Sequence, residues 1–454
     1  MLITETKNKE YFVNIYNENL EEINKNSSEL IKCERNKAIQ DFQNIGFPDK
    51  KNEKYKYTNI ESIFNSNLKC LFNPVSANIN LDEIFKCDVP ELDTNIFITV
   101  NGWFHDNELL KISEKGFIIG SLSEASKKYP ELFEKYYNKF VNEEPDAITS
   151  LNTAFAQDGV FIYVPEGVVI EKPIQIINLV VSDEELLINQ KNLVIIENRG
   201  EAKIIVCDHS LTPYKFLYNT VTEVFAGQNS RVDYYKVQNS HNHSTQISST
   251  FICQKDNSNV LSDIITLHGG LIRNNINVLL DGKDCENFVG GLYLVDKFQH
   301  VDNYVSIDHA KPNCMSRQVF RGVLDDNATG AFNGKILVRK DSQHTNAYQT
   351  NNNILLTNEA KINTKPQLEI YADDVKCSHG ATVGQLDEDA LFYLRSRGIE
   401  YKDAKLLLMF AFAHEIIKQI RVEPLKDRIN ELVEKRLRGE LSRCNCCSIN
   451  CGKQ

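Results

Sequence analysis

The fold is decided by the stretch Val194-Ile195-Ile196-Glu197-Asn198-Arg199-Gly200-Glu201-Ala202-Lys203-Ile204-Ile205-Val206, in which a polar turn joins two aliphatic runs. One such unit cannot bury its apolar face alone, whereas stacked units share a continuous interior. The repeat therefore predicts a parallel β-helix, although the residue pattern alone also fits a large β-sandwich or barrel. Related units recur about every 25 to 30 residues, with one longer gap, and begin at Val224, Phe251, Val278, Val323 and Leu355.

The repeat lies within residues 156–384, where short runs of Val, Ile, Phe and Tyr alternate with turn residues. Residues 1–155 combine helical spacing with short strands, and residues 385–441 are helical again. A Cys-rich tail occupies residues 442–454. The sequence thus predicts a mainly β protein, with a parallel β-helix core between an N-terminal α/β region and a C-terminal helical region.

Both flanking regions contain helix signals. Near the amino end, Gly46-Phe47-Pro48 separates two predicted helices from a predicted extended segment, Lys54-Tyr55-Lys56-Tyr57-Thr58. Near the carboxyl end, Leu406-Leu407-Leu408-Met409-Phe410-Ala411-Phe412-Ala413 is apolar nearly all round, which predicts a helix covered by neighbours or by a partner chain. The last helix is predicted from about Pro424 to Gly439.

The composition argues against several classes of function. The 454 residues carry a formal net charge of −11, so no overall positive field exists to hold nucleic acid or an anionic membrane. No apolar run is long enough to span a membrane, and the amino end has no signal or transit features. Twelve cysteines, scattered singly apart from the tail, fit reduced thiols. We expect a cytoplasmic protein without nucleic-acid or membrane partners.

The residues offer no recognisable catalytic site. The sequence contains no phosphate-binding loop and no nucleophile elbow. Asp325-Asp326 and Asp373-Asp374 could serve a sugar-cleaving β-helix enzyme, but solvated turns explain them better. His241 and His243 could share a metal on one face of a strand, whereas the turn formers around them favour a loop.

One pair of soft ligands lies near the end of the β region. Cys377 and His379 are two residues apart, so in a strand they face the same way. A thiolate and an imidazole both suit iron or iron-sulfur species. Two ligands cannot close a metal site, so the others must come from elsewhere or from another chain. Chemistry alone favours a structural role for the pair.

The tail concentrates four further thiols within eight residues. Zinc or an iron-sulfur cluster could use four thiolates, but the spacing matches no familiar zinc or ferredoxin site. A redox-sensitive tail without a defined metal fits as well. These thiols support an alternative function, a metal-binding or redox-sensing protein acting through the tail. The candidate metal ligands are Cys444, Cys446, Cys447 and Cys451.

Two segments near the carboxyl end resemble a known family. Asp373-Asp374-Val375-Lys376-Cys377-Ser378-His379-Gly380-Ala381-Thr382-Val383-Gly384, followed by Leu391-Phe392-Tyr393-Leu394-Arg395-Ser396-Arg397-Gly398-Ile399, resembles the SufD-type members of the SufB/SufD family of the SUF iron-sulfur cluster assembly system. The 46–48 and 54–58 segments are similar to the family's amino-terminal signature, although Tyr55 stands where many members have Trp. The resemblance covers nearly the whole chain apart from the tail.

The SufB-type members differ at two places. They carry a cluster-building cysteine, followed by Asp and Ser, where this chain has Asn351-Asn352-Asn353. They also carry an EHEAT-like sequence where Ser378-His379-Gly380-Ala381-Thr382 stands here. Both differences favour the SufD type.

The resemblance implies a right-handed parallel β-helix and a scaffold role in a complex of one SufB, two SufC ATPases and one SufD. SufB and SufD would pair through their β-helices, and each would bind one SufC through its terminal helices. The chain would then be a non-catalytic subunit, and the iron-sulfur cluster would form transiently at the SufB interface. A flavin in the complex, and a SufD homodimer without SufB, stay open.

The resemblance also implies the site residues. His379 would face the cluster-ligand candidates of SufB across the interface. Cys377 lies in the same motif, and both a ligand role and a structural role stay open for it. ATP-driven dimerisation of two SufC subunits would pull on the C-terminal helices and rearrange the interface. Internal packing is the alternative for the candidate SufC contacts, which are Leu406, Leu407, Phe410, Leu425, Ile429 and Leu432.

Overall fold

The structure is a computed structural model that describes residues 9–49, 51–65, 68–75, 92–143 and 145–440. The helices are, in chain order, α1 Lys9–Glu18, α2 Leu20–Asn24, α3 Glu29–Ile45, α4 Ile60–Phe64, α5 Leu122–Lys128, α6 Pro130–Tyr136, α7 Ala147–Phe155, α8 Glu388–Ser396, α9 Tyr401–Ile417 and α10 Glu423–Leu437. The strands are β1 Lys69–Cys70, β2 Asn95–Val100, β3 Trp103–Phe104, β4 Leu110–Ile112, β5 Ile118–Ser121, β6 Val160–Val164, β7 Ile174–Val180, β8 Leu186–Ile196, β9 Glu201–Ser210, β10 Phe216–Ala226, β11 Arg231–Asn239, β12 Ser244–Gln254, β13 Asn259–His268, β14 Leu271–Leu280, β15 Glu286–Val295, β16 His300–His309, β17 Met315–Leu324, β18 Thr329–Val338, β19 Thr345–Leu355, β20 Lys361–Ile370 and β21 Val375–Gly384.

From β6 onward the strands alternate between two sheets. Sheet A has 11 strands and contains the even-numbered strands from β6 to β20, whereas sheet B has 10 strands and contains the odd-numbered strands from β7 to β21. Each strand from β6 to β19 pairs in parallel with the strand two positions further along the chain. Such a chain coils into a parallel β-solenoid, which confirms the predicted β-helix and excludes a sandwich.

The stacked register explains the repeat in the sequence and its one long gap. Six buried aliphatic residues of sheet A stack in register, one in each coil. Val323 and Leu355, which the repeat also includes, lie in sheet B. The predicted repeat thus missed two units of sheet A. At Ile307 the polar neighbours Ser306 and Asp308 interrupt the aliphatic run, whereas Ile336 begins an uninterrupted aliphatic run that the repeat did not include. The stacked residues are Val194, Val224, Ile252, Val278, Ile307 and Ile336.

The polar turns from sheet A to sheet B repeat one backbone conformation. In successive coils one turn residue has a φ between 56° and 62°, the left-handed region. Asn and Asp tolerate this region better than most residues, which explains why the turns are polar. The residues concerned are Arg199, Asn229, Asn257, Asp284, Asn313 and His344.

The interior of the solenoid also contains polar side chains that bond from coil to coil. Gln238 Nε2 donates to Asn274 Oδ1 at 3.1 Å, and Asn274 Nδ2 donates to Asn303 Oδ1 at 3.0 Å. Asp208 and Lys236 form an ion pair of 3.5 Å, with both side chains almost fully buried. Buried polar groups that find partners in this way tie neighbouring coils together.

The N-terminal helices cover the outer face of sheet A, and residues 53–58 attach to it. Arg273 is fully buried, forms an ion pair with Asp302 and lies over the Tyr55 ring, 4.2 Å from its centroid. The Tyr55 hydroxyl donates to Asp146 at 2.7 Å. The extended conformation predicted for residues 54–58 is wrong, because Glu53–Tyr55 forms a 3-10 turn that brings Tyr55 onto Arg273.

Strands also occur before the predicted start of the solenoid. Strands β4 and β5 extend sheet A, and β2 and β3 extend sheet B, although all four lie within residues 1–155. The N-terminal region therefore continues both sheets as well as covering them. The domain boundaries stay predictions.

The C-terminal helices α9 and α10 pack on the outer face of sheet B. They share one apolar cluster with outward-facing residues of β9 to β17. Arg421 donates to Asp233 at 2.7 Å, Arg436 donates to Asp296 at 2.7 Å, and Arg321 on β17 forms an ion pair with Glu415 on α9. The bounds of α10 confirm the last predicted helix. No helix in the described part of the chain is long and apolar enough to cross a membrane.

We expect Arg436 to hold α10 on the solenoid. Its buried guanidinium also donates to the Leu267 carbonyl at 2.8 Å. Arg436→Ala should lower the free energy of unfolding by about 3 kcal/mol, because it leaves Asp296 and that carbonyl without their donor. Urea unfolding measures the change. Arg438→Ala is the control, because Arg438 at the end of α10 is exposed and pairs with Glu434 of that helix. An equal loss of stability in both variants would contradict the prediction.

Asp263 on β13 predicts a pH dependence. It lies between Leu261 and Ile265, whose side chains join the cluster under α9 and α10. Burial raises the pKa of this carboxyl from 3.8 to about 8, and no side chain among the described residues donates a hydrogen bond to it.

Between pH 3.8 and about 8 the Asp263 carboxyl is therefore protonated in the folded protein and ionised in the unfolded chain. Raising the pH through this range lowers the free energy of unfolding. Asp263→Asn removes this titration. We expect the melting temperature of the variant, relative to that of the wild type, to increase as the pH rises from 5 to 8. The same difference in melting temperature between variant and wild type at pH 5 and at pH 8 would contradict the raised pKa.

Candidate functional site

The candidate site is the open end of the solenoid. Strand β20 pairs only with β18, and β21 pairs only with β19, among the strands that the structure describes. No further coil of this described chain covers them, so each strand has one edge with unpaired backbone groups. An uncovered edge of this kind is a template for pairing with another strand.

Cys377 and His379 lie on the interior side of this last coil. Phe320 is in the interior cluster, and the register aligns it with Asn351 on β19 and with Ala381 on β21. Side chains two and four residues before Ala381 face the same side of the strand. Cys377 and His379 therefore face the open mouth of the solenoid together, as the sequence spacing predicts.

The two side chains have different surroundings. Cys377 is half-buried against Ala347 and the aliphatic residues Ile336 and Val338 of the coil below. Burial raises the pKa of its thiol, and a backbone hydrogen bond with Ala347 opposes this only in part. Cys377 is thus a neutral thiol at pH 7, which must lose its proton before it binds a metal. His379 is exposed, and no hydrogen bond to another described residue holds its ring.

Polar side chains form the floor under His379. Gln349 is its register partner on β19, is buried, and donates to Gln318 Oε1 at 2.6 Å. Beside it, Asn353 Nδ2 donates to Asn351 Oδ1 at 2.8 Å and reaches the Thr382 carbonyl of the last coil at 3.3 Å. Residues 351–353 were one of two differences that favoured the SufD type over the SufB type in sequence, and in the structure the Asn353 side chain contacts the last coil from below.

No complete metal site is present in the described part of the chain. No three His, Cys, Asp or Glu side chains are grouped there so that they could hold an ion. Cys377 and His379 therefore need ligands from outside these residues. His241 and His243 lie at the turn between β11 and β12, which confirms the predicted loop. The candidate metal ligands Cys444, Cys446, Cys447 and Cys451 lie outside the described residues.

The candidate ATPase contacts divide into buried and accessible residues. Leu425 and Ile429 face sheet B and are 1% exposed, so their side chains are packed inside this chain. Leu407 is 50% exposed. Docking of the ATPase on these residues stays a prediction. Leu425 and Ile429 could contribute to it only indirectly, because a partner cannot contact their buried side chains. Between these extremes are the half-buried side chains of Leu406, Phe410 and Leu432.

Helix α8 presents a surface that the sequence analysis did not assign. None of its residues is buried, and Phe392 is 74% exposed. Tyr393 beside it is also exposed. Large aromatic side chains that stay uncovered are typical of contact surfaces. Residues 391–399 entered the sequence analysis only through the family resemblance.

Comparisons with known proteins agree with this architecture. Residues 179–412 match the family model of the SUF system FeS cluster assembly SufBD core domain, and residues 6–176 match that of the SufBD protein N-terminal region. The chain is 29% identical to an iron-sulfur cluster assembly SufBD family protein of Synechocystis over 86% of this chain and 88% of that protein.

Two further relatives are named iron-sulfur cluster assembly protein SufD. The Escherichia coli protein is 28% identical over 88% of this chain and 92% of its own length. The Bacillus subtilis protein is 26% identical over 72% of this chain and 76% of its own length. With a core-domain match that spans more than half of its residues, this chain belongs to the SufBD family of SUF iron-sulfur cluster assembly proteins.

Proposed function

We propose that this chain is a SufD-type scaffold subunit, which pairs with a SufB-type protein through its open end and docks a SufC-type ATPase on its C-terminal helices. The observation that carries the proposal is the uncovered last coil, with His379 and Cys377 facing its mouth. The relatives named SufD support the choice of subunit type. The chain itself then needs no catalytic group, and the iron-sulfur cluster is its cargo.

The open end has the properties of a surface that another β-helix would cover. Its two strand edges can accept added strands, which is the usual route of β-augmentation. Interior-facing apolar side chains at the rim stay partly exposed, namely Ile370 at 39% and Val383 at 46%. A partner coil stacked on the rim would bury these groups and pair both edges. The same surface could serve a homodimer when the SufB-type partner is absent.

His379 would contribute one ligand to the growing cluster. A neutral imidazole is a suitable iron ligand, and the exposed ring meets no competing partner among the described residues. The remaining ligands would come from the partner across the interface. Cys377 lies on the same face and either joins them or supports the wall of the site. The proposal does not depend on a flavin.

The C-terminal helices could transmit movement from the ATPase to this end. Helix α9 is tied to β17 by the ion pair of Arg321 with Glu415. In sheet B, β19 alone separates β17 from β21, which carries His379. A pull on α9 would therefore act on the coils directly below the mouth. This links ATP-driven motion to the exposure of the site.

His379→Ala tests the ligand role. We expect the variant to assemble with SufB-type and SufC-type partners and to keep their ATPase activity. The yield of reconstituted iron-sulfur cluster, measured by absorbance and iron content, should fall by about tenfold or more, since losing a ligand costs at least as much as losing its support. His243→Ala is the control, because this exposed histidine lies several coils away.

A wild-type cluster yield in His379→Ala would contradict the ligand role, and failure of the wild-type chain to join the partners would contradict the scaffold role. Truncation after residue 441 tests the alternative, metal binding by the tail. That alternative predicts that the truncated chain loses its metal and that His379→Ala keeps it.

Leu407→Glu tests the docking surface. Half of this side chain is exposed, so the substitution should leave the melting temperature unchanged. A carboxylate placed in an apolar contact should weaken binding of the ATPase by about tenfold or more, measured as a dissociation constant. Leu109→Glu is the matched control, because Leu109 is 43% exposed and lies in the N-terminal region. Equal binding of both variants would place the ATPase elsewhere.

A further inference from the structure

An amide ladder leads to His379 from inside the solenoid. Gln318 and Gln349 occupy the same register position in successive coils, and Gln349 Nε2 donates to Gln318 Oε1 at 2.6 Å. The ladder begins at Gln318, because the coil below has Val289 in this position. The next position above Gln349 is His379. The imidazole thus stands where the ladder would continue.

The upper end of the ladder is an unused acceptor. Gln349 Oε1 is buried and has no hydrogen-bond partner among the described residues. A carboxamide can donate from its nitrogen to one neighbouring coil and accept at its oxygen from the other. At the lower end Gln318 Nε2 has no partner among the described residues, because Val289 lies below it. Since Gln349 donates to the coil below, its oxygen is free to accept from the coil above. A buried acceptor without a partner costs about 1 to 3 kcal/mol, so a donor here would be favoured.

The opposite wall is shaped to admit this amide. Gly334 on β18 faces Gln349 across the interior, and a Cβ on Gly334 would lie only 1.9 Å from Gln349 Nε2. The missing side chain therefore lets the carboxamide extend beneath the mouth. Pro366 is the register neighbour of Gly334 in the last coil. Gln349 consequently lies in the floor of the site, between the wall that carries Pro366 and the wall that carries His379.

We propose that Gln349 is the positioning residue of His379, with its carboxamide oxygen accepting a hydrogen bond from one imidazole N–H. This inference rests on the proposed ligand role of His379. Adjacent register positions in neighbouring strands are about 5 Å apart, which a Gln and a His side chain span together. The bond fixes which ring nitrogen carries the proton, and it turns the other nitrogen outward to the cluster.

Gln349 variants in the reconstituted complex test the inference. Gln349→Leu keeps the size of the side chain but removes the acceptor, and it should lower the cluster yield by about tenfold. Gln349→Glu should restore most of the yield. A neutral Glu carboxyl can donate to Gln318 through its O–H and accept from His379 through its carbonyl oxygen, as the amide does.

The double variant separates positioning from general packing. Gln349→Leu combined with His379→Ala should give no lower yield than His379→Ala alone, because Gln349 acts only through the imidazole. Gln246→Leu is the packing control, since Gln246 is another buried amide of the interior, several coils away, that donates to Ser240 at 2.9 Å. It should share any loss of melting temperature and keep the wild-type cluster yield.

Each failure has its own signature. A wild-type yield in Gln349→Leu, or a further multiplicative loss in the double variant, would overturn the positioning role while His379→Ala still reports a ligand. Equal losses of cluster yield in Gln349→Leu and Gln246→Leu would also overturn the positioning role. A wild-type yield in His379→Ala would instead remove the ligand role and this inference together.

Discussion

Each residue of the solenoid lies over the residue one coil earlier, and the rest of the structure depends on this register. Parallel backbone hydrogen bonds fix the register, and a slip by one residue would turn every interior side chain outward. Val194 and its successors stack as a continuous aliphatic column because of it. The amides of Asn274 and Asn303 bond from coil to coil for the same reason.

In such a stack every coil except those at the ends has neighbours that bury its interior face and pair its strand edges. Interior coils bury both faces and pair both edges, whereas β20 and β21 have coils on one side only in the described chain. The unpaired backbone groups and the candidate ligands Cys377 and His379 thus lie at the same end of the solenoid. The outer faces are covered differently, by the N-terminal region on sheet A and by α9 and α10 on sheet B. The last coil is where this architecture offers a surface for assembly.

The sequence predicted the parts of the fold that periodicity and turn chemistry determine. Repeated aliphatic runs and polar turns predicted stacked or packed strands but left a β-helix and a sandwich or barrel open, and the family resemblance favoured the β-helix. The two-residue spacing of Cys377 and His379 correctly placed them on one face. The unit at Ile307 was missed because this buried residue stands between the polar residues Ser306 and Asp308, whereas the aliphatic run at 336–338 was not counted as a unit. The turn at Tyr55 was missed because its partner Arg273 is distant in the chain.

The candidate site shows the same division between local and distant information. A motif identifies His379, but no local pattern indicates that Gln349 and Gly334 lie beneath it, since only the coil register brings them together. Exposure is also a tertiary property, so the apolar residues of α10 and the aromatic residues of α8 looked alike in sequence. The structure buries Leu425 and exposes Phe392.

Hydrogen exchange tests the central claim, that the open last coil is the assembly surface. The backbone amides of β20 and β21 would be compared in the chain alone and in the presence of the SufB-type partner. The account predicts that their free edges exchange quickly in the isolated chain and become protected when the partner binds. Protection that appears only on the N-terminal region or on α8 to α10, with β20 and β21 unchanged, would contradict it.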